Sequence, residues 1–250
     1  MKLNFKGIAI FAASVILCTG LPAFGQTDVS VTFTGGYTTT WGNSGGDYGA
    51  GIYSADINGA PLPSGMICDD FSDEITTGET WNASAIQASS LASGDISGLL
   101  FNGTHSGYAN IGVTGYAEVA TLVSMMFGGV SSYGGVTGVT QAELSSAIWD
   151  ITQGGTLTGL DTTALALVAA VKTAFGSNAS AAEAYLATLT NLWILTPSPT
   201  GVSGEAQEMF VENLAVAEGG AALMYLLLAS LFCFGAFFMR NRERATIYSH

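Results

Sequence analysis

Val29, Val31 and Phe33 alternate with polar neighbours, which is the two-residue period of a half-buried strand. Residues 41–51, WGNSGGDYGAG, break that alternation and read as a glycine-rich loop. The loop lacks the spacing and the Lys-Ser/Thr end that a phosphate loop needs. Gly51 to Ile57 reads as a strand, and Asn58-Gly59 as a type I′ turn. Met66 to Phe71 is the return strand, held off by Pro61 and Pro63. Thr77 to Ala85 gives a further strand, anchored by Trp81.

The period then changes. Tyr116 to Phe127 reads as a helix ended by Gly128-Gly129. Thr140-Gln141-Ala142-Glu143 has the order of a capping box. Leu144, Ala147, Ile148 and Ile151 follow at helical spacing, and Gly154 stops the run. Asp161 caps a third helix through Phe175, and Ser180 with Glu183 a fourth, through about Asn191. Trp193 to Thr196 and Glu205 to Glu212 return to strands. The pattern predicts one α+β domain: an antiparallel β-sheet from N- and C-terminal strands with a central helical block. The helix bearing Trp149 is expected to pack on the sheet.

The two ends have their own patterns. Lys2 and Lys6, the apolar run Gly7 to Leu21 and the small-x-small site Ala23-Phe24-Gly25 make residues 1–25 a signal peptide, cleaved before Gln26. Leu17 before Cys18 is too large for lipid attachment. At the other end Glu218-Gly219-Gly220 precedes an uncharged apolar run, residues 221–239, and then Arg240, Arg242 and Arg244. Nineteen residues at helical rise cover about 28 Å, one bilayer core. The run is apolar on every face, and the arginines place its end in the cytoplasm. Residues 26–214 are then the ectodomain, and 215–244 a tail with one transmembrane helix.

Charge narrows the partners. Between Gln26 and Ala217, seventeen Asp and Glu face a single basic residue, Lys172, leaving about −16. Phosphate binding needs clustered Lys and Arg, so nucleic acid is excluded as a partner. Cys18 leaves with the leader and Cys233 lies in the span, so Cys68 is alone in the ectodomain and no internal disulfide forms.

The order of the tail, a short Glu motif, one span and a basic end, resembles the PEP-CTERM sorting signal. Of the usual Pro-Glu-Pro, only Glu218 matches; Ala217 and Gly219 stand at the prolines. The resemblance implies an exosortase-type processing enzyme at the inner membrane, and delivery to the cell surface or an extracellular matrix, with exopolysaccharide or another matrix polymer as a partner. Cys68-Asp69-Asp70-Phe71, Tyr116-Ala117-Glu118, Ala147-Ile148-Trp149 and Gln207-Glu208 together resemble a recurrent ectodomain of such exported proteins.

Three chemistries attach to these residues. Ala147-Ile148-Trp149 also resembles the end of the Thr-Gln-x-Ala-Ile-Trp motif of Gram-positive thioester adhesins, which pair a helix Gln with a strand Cys. Ser145 stands at the Gln position and Leu144 at the Thr position. Gln141, one turn earlier, is the substitute acyl donor for Cys68, the candidate reactive thiol. Asp69, Asp70, Asp73 and Glu74 are candidate calcium ligands, without the Asp-x-Asp-x-Asp-Gly order of a calcium loop. A surface glycan hydrolase would need paired carboxylates that no motif marks, and His105, the one ectodomain histidine, has no Gly-x-Ser-x-Gly partner. The first reading is a non-catalytic structural or interaction protein; the hydrolase and the covalent adhesin are the alternatives.

Overall fold

The structure, a computed structural model, describes residues 27–43, 46–198, 206–215 and 230. Residues to Leu214 make one compact unit, and those from Ala215 onward a second. The signal peptide and the sorting motif, Glu218, Gly219, Gly220, Arg240, Arg242 and Arg244, lie outside the described residues. So does the expected span 221–239, except for Ser230, which is helical. Among the described residues no helix is long and apolar enough to cross a membrane.

The first unit is α+β with a large antiparallel sheet. Its strands are β1 (Thr27–Asn43), β2 (Gly46–Ile57), β3 (Ala60–Pro61), β4 (Met66–Cys68), β5 (Thr80–Gln87), β8 (Leu192–Pro197) and β9 (Met209–Glu212). A two-residue hairpin, β6 (Ser132–Tyr133) with β7 (Val136–Thr137), stands apart. The pairing runs β1-β5-β8-β9-β4-β2, and β2 pairs back with β1. The sheet therefore closes into a ring of six antiparallel strands, with β3 hanging from β2. Closure removes the exposed edges that an open sheet of such strands would carry.

The long strand β1 makes closure work. Its first half pairs with β5 (Val29 opposite Ala83) and the rest with β2 (Phe33 opposite Ala55). The register slips between Phe33 and Thr39, as bulges allow. The glycine-rich stretch expected as a loop is thus mostly strand: Trp41 pairs with Tyr48, Gly42 with Asp47. Cross-strand partners outweigh weak strand propensity there. The Asn58-Gly59 turn holds positive φ at both residues, 53° and 77°, as a type I′ turn demands. Its immediate return strand is the short β3. β4, which pairs Met66 with Tyr53, ends at Cys68 rather than Phe71.

Alternation sorts two rows of side chains. Ala85, Leu195, Met209 and Cys68 lie opposite one another across four strands, and all four are buried. Ile86, Ile194, Phe210 and Ile67 make the next row, and this one packs into the core shared with the helices. The first row accordingly faces the barrel interior.

The helices are α1 (Gly112–Phe127), α2 (Gln141–Thr152), α3 (Thr162–Phe175) and α4 (Ala179–Leu186), with a 3-10 turn over Ala88–Ser93. α1 is buried along most of its length, which suits a helix apolar on nearly every face. α2 starts with the expected capping box: Thr140 and Glu143 bond each other's backbone. Asp161 caps α3 as expected. The fourth helix begins two residues earlier than expected, because Asn178 rather than Ser180 caps it, and it stops at Leu186. α2 packs against β1 and β2. Gly51 holds φ +85° there, and its N–H donates to Ser145 Oγ at 2.8 Å. A Cβ at Gly51 would come within 2.1 Å of Thr38 Oγ1 and 2.8 Å of Gln141 Oε1, so only glycine fits.

Candidate functional site

The segment that the sequence singles out, Cys68 to Asp73, leaves the end of β4 and runs between the barrel and the helical block. Three side chains bind its carbonyls. Trp149 Nε1 of α2 donates to Cys68 O at 3.1 Å, and Thr152 Oγ1 to Asp69 O at 2.6 Å. Gln207 Nε2 donates to Asp70 O at 3.0 Å and also to Asp73 O. Trp149 stacks against Phe71 and Trp41, with ring centroids 5.3 Å and 5.8 Å away. The expected packing of the Trp149 helix on the sheet is found, and its anchor is this turn.

A buried acid network sits on the same segment. Asp69, Asp70 and Glu208 are fully buried, and Asp73 is 7 % exposed. Glu208 has the donors of an ionised carboxylate: Leu100 N at 2.9 Å, Tyr116 OH at 2.8 Å and Thr196 Oγ1 at 2.5 Å. Tyr116 OH in turn accepts from Phe101 N at 3.1 Å. Neither oxygen of Asp69 receives an N–H or O–H from the described residues. It lies beside the Glu208 carboxyl. Burial, then the Glu208 and Asp70 charges, push Asp69 well above the carboxylate range. Burial also raises Glu208, while its donors pull it back. Asp70 repeats the arrangement with Asp73: burial lifts it to about 8, the Ser72 N–H opposes, and Asp73 adds to the rise. Tyr108 OH donates to Asp73 Oδ2.

The expected calcium ligands divide here. Asp69, Asp70 and Asp73 come together with Glu208, whereas Glu74 is exposed. Among the described residues no group of three or more His, Cys, Asp or Glu is disposed to hold a metal ion.

Cys68 is 2 % exposed, and its thiol donates to Asp70 O at 2.9 Å. Burial first, then the Asp70 and Asp69 charges, push the thiol well above its ordinary range. Gln141 Oε1 accepts from Thr38 Oγ1 instead, and Ser145 Oγ from Gly51 N. Thiol and carboxamide are each bonded elsewhere. His105 is half-exposed in the loop between Phe101 and Ile111.

Sequence reasoning missed Glu208 and Tyr116 as partners of the Cys68-Asp69-Asp70 segment. Both stand in the motifs quoted for the ectodomain resemblance, but their meeting depends on strand order. A second feature it missed is a cleft of about 390 Å³ among α1, α2 and α3, where Glu118 and Lys172 are found. No protein-family model, curated protein or solved structure matches this chain.

Proposed function

We propose that residues 26–214 are the non-catalytic structural or interaction domain of an exported surface or matrix protein. Its tail is the address read by an exosortase-type enzyme at the inner membrane. The observation that carries the non-catalytic reading is the state of the marked residues. Cys68, Asp69, Asp70, Trp149 and Glu208 are all buried and tie the barrel to the helices. A catalytic carboxylate pair needs access to substrate and a free site beside it; Asp69 and Glu208 are fully buried, and Glu208 is held by three donors. The export reading rests on the leader and the tail. The thioester resemblance acquires a related meaning: a Cys strand lies against an Ala-Ile-Trp helix through the Trp149–Cys68 bond, without an acyl donor in place.

The test is the mass and location of the mature protein in its native host, with and without the sorting enzyme. The expected product begins at Gln26, and its tail mass and surface delivery change when the sorting enzyme is removed. A mature protein that retains Phe5, or one indifferent to the sorting enzyme, overturns the export reading.

A further inference from the structure

Glu118 lies in the middle of α1 and is 5 % exposed. Its carboxylate, like that of Asp69, has no hydrogen-bond donor among the described residues, but it opens onto a cleft. The influences on it are burial, which lifts it to about 6, and the opposing charge of Lys172. The Glu118 oxygens are not among the fully enclosed polar atoms that lack a partner, so a molecule in the neighbouring cleft can reach them. Glu118 lines a cleft of about 390 Å³, open on one side, within the size range of small-molecule sites. Asn110 and Thr114 add polar groups to the wall, Ile111 and Ile151 apolar ones. Lys172, on the last turn of α3, lines the same cleft. It is the one basic residue between Gln26 and Ala217, and it makes no ion pair with Glu118. The two opposite charges share a cavity without touching, in a domain where every other surface charge is negative.

We propose that this cleft binds a small zwitterion, with the ligand's ammonium on Glu118 and its carboxylate on Lys172. Both charges of such a ligand find a counter-charge, and the buried Glu118 gains the donor that the protein does not supply. A ligand with only a carboxylate would leave Glu118 unpaired and meet its repulsion. One with only an ammonium would leave Lys172 without a partner.

Titration calorimetry on the full chain in mild non-ionic detergent tests this. The probes are L-alanine and 4-aminobutanoate, which differ in charge separation, against propylammonium and propionate. The expected result is saturable binding of at least one zwitterion, at least tenfold tighter than either single-charge probe. Glu118→Gln and Lys172→Gln are each expected to weaken it tenfold or more. No saturable binding, equal binding of a single-charge probe, or unchanged affinity in Lys172→Gln overturns the proposal. Lys172 is exposed, so its variant keeps the test decisive should Glu118→Gln fail to give the far-ultraviolet circular dichroism of the parent.

Discussion

Buried carboxylates occur in two settings in this domain, at the turn after β4 and in the cleft of α1. At the turn Glu208 takes three donors, and burial pushes Asp69 and Asp70 above the carboxylate range. In the cleft Glu118 has no donor among the described residues and lines the same cavity as Lys172. The first arrangement joins two layers through the Glu208 donors and through the side chains that bind the carbonyls of the turn. The second is wasteful for a joint and suited to a site that awaits a ligand. Burial alone therefore does not separate the two settings; whether the carboxylate opens onto a cleft does.

Removing Glu208 should give the largest loss. Glu208→Ala leaves Leu100 N, Tyr116 OH and Thr196 Oγ1 without their acceptor, at about 1–3 kcal/mol each before relaxation. A total of about 4 kcal/mol or more is expected in chemical denaturation of the full chain in detergent. A loss under about 1 kcal/mol would mean that water replaces the carboxylate, and that the turn is no tighter than the cleft. Trp149→Ala is expected to follow at about 3–5 kcal/mol, because it empties a packed aromatic site and frees the Cys68 carbonyl. An unchanged midpoint would show that the helix is held to the barrel by other residues.

The protons at the turn give a pH test. Asp70 moves from 3.8 unfolded to about 8 folded, so the native state binds more protons between those values. Its contribution is full below about pH 4 and is lost as pH rises through 8. The slope approaches about 1.4 kcal/mol for each pH unit, in the direction of lower stability at higher pH. Asp69 shifts in the same direction. The groups around them are Asp73, Glu208, Tyr108, Tyr116 and Cys68, and no Lys, Arg or His is among them. Asp70→Asn keeps the acceptor for Ser72 N and cannot ionise. Thermal midpoints from pH 5 to 8 should fall for the parent and flatten in this variant. Parallel slopes in both proteins would show that Asp70 is ionised when folded.

These contrasts also mark how far the sequence could be read. The helices were legible because their signals are local: a capping box at Thr140, an Asp cap at Asp161, apolar residues three and four apart. The antiparallel strands were legible from alternation at Val29, Val31 and Phe33. The ring was not, because closure depends on β1 serving both β2 and β5, and nothing local encodes a second partner. Residues 41–51 misled for the same reason, since glycine says loop until Trp41 is seen opposite Tyr48. At the site, Asp69 and Asp70 were legible as acids but not as buried ones. Glu208 lies far along the chain from them and reaches Asp69 only because β9 pairs with β4. Glu118 could not be told from any other helix acid, as a cleft exists only in three dimensions.

Cys68 gives the smallest expected effect and the sharpest test of the turn as a joint. A thioester would join its sulfur to a Gln side-chain carbonyl with loss of ammonia, lowering the intact mass by about 17 Da and removing the thiol that Cys chemistry requires. In the structure the sulfur carries a proton and donates it to Asp70 O, and Gln141 is bonded to Thr38. Cys68 also lies in the row that faces the barrel interior, opposite Met209. Full mass is therefore expected, with slow maleimide labelling of the folded protein and fast labelling after unfolding. Cys68→Ala removes one packed sulfur and one weak donor, which should lower stability by about 1 kcal/mol. Surface delivery should not change. An ammonia deficit that disappears in Cys68→Ala would place a reactive bond at the turn, and would make it a functional site like the cleft.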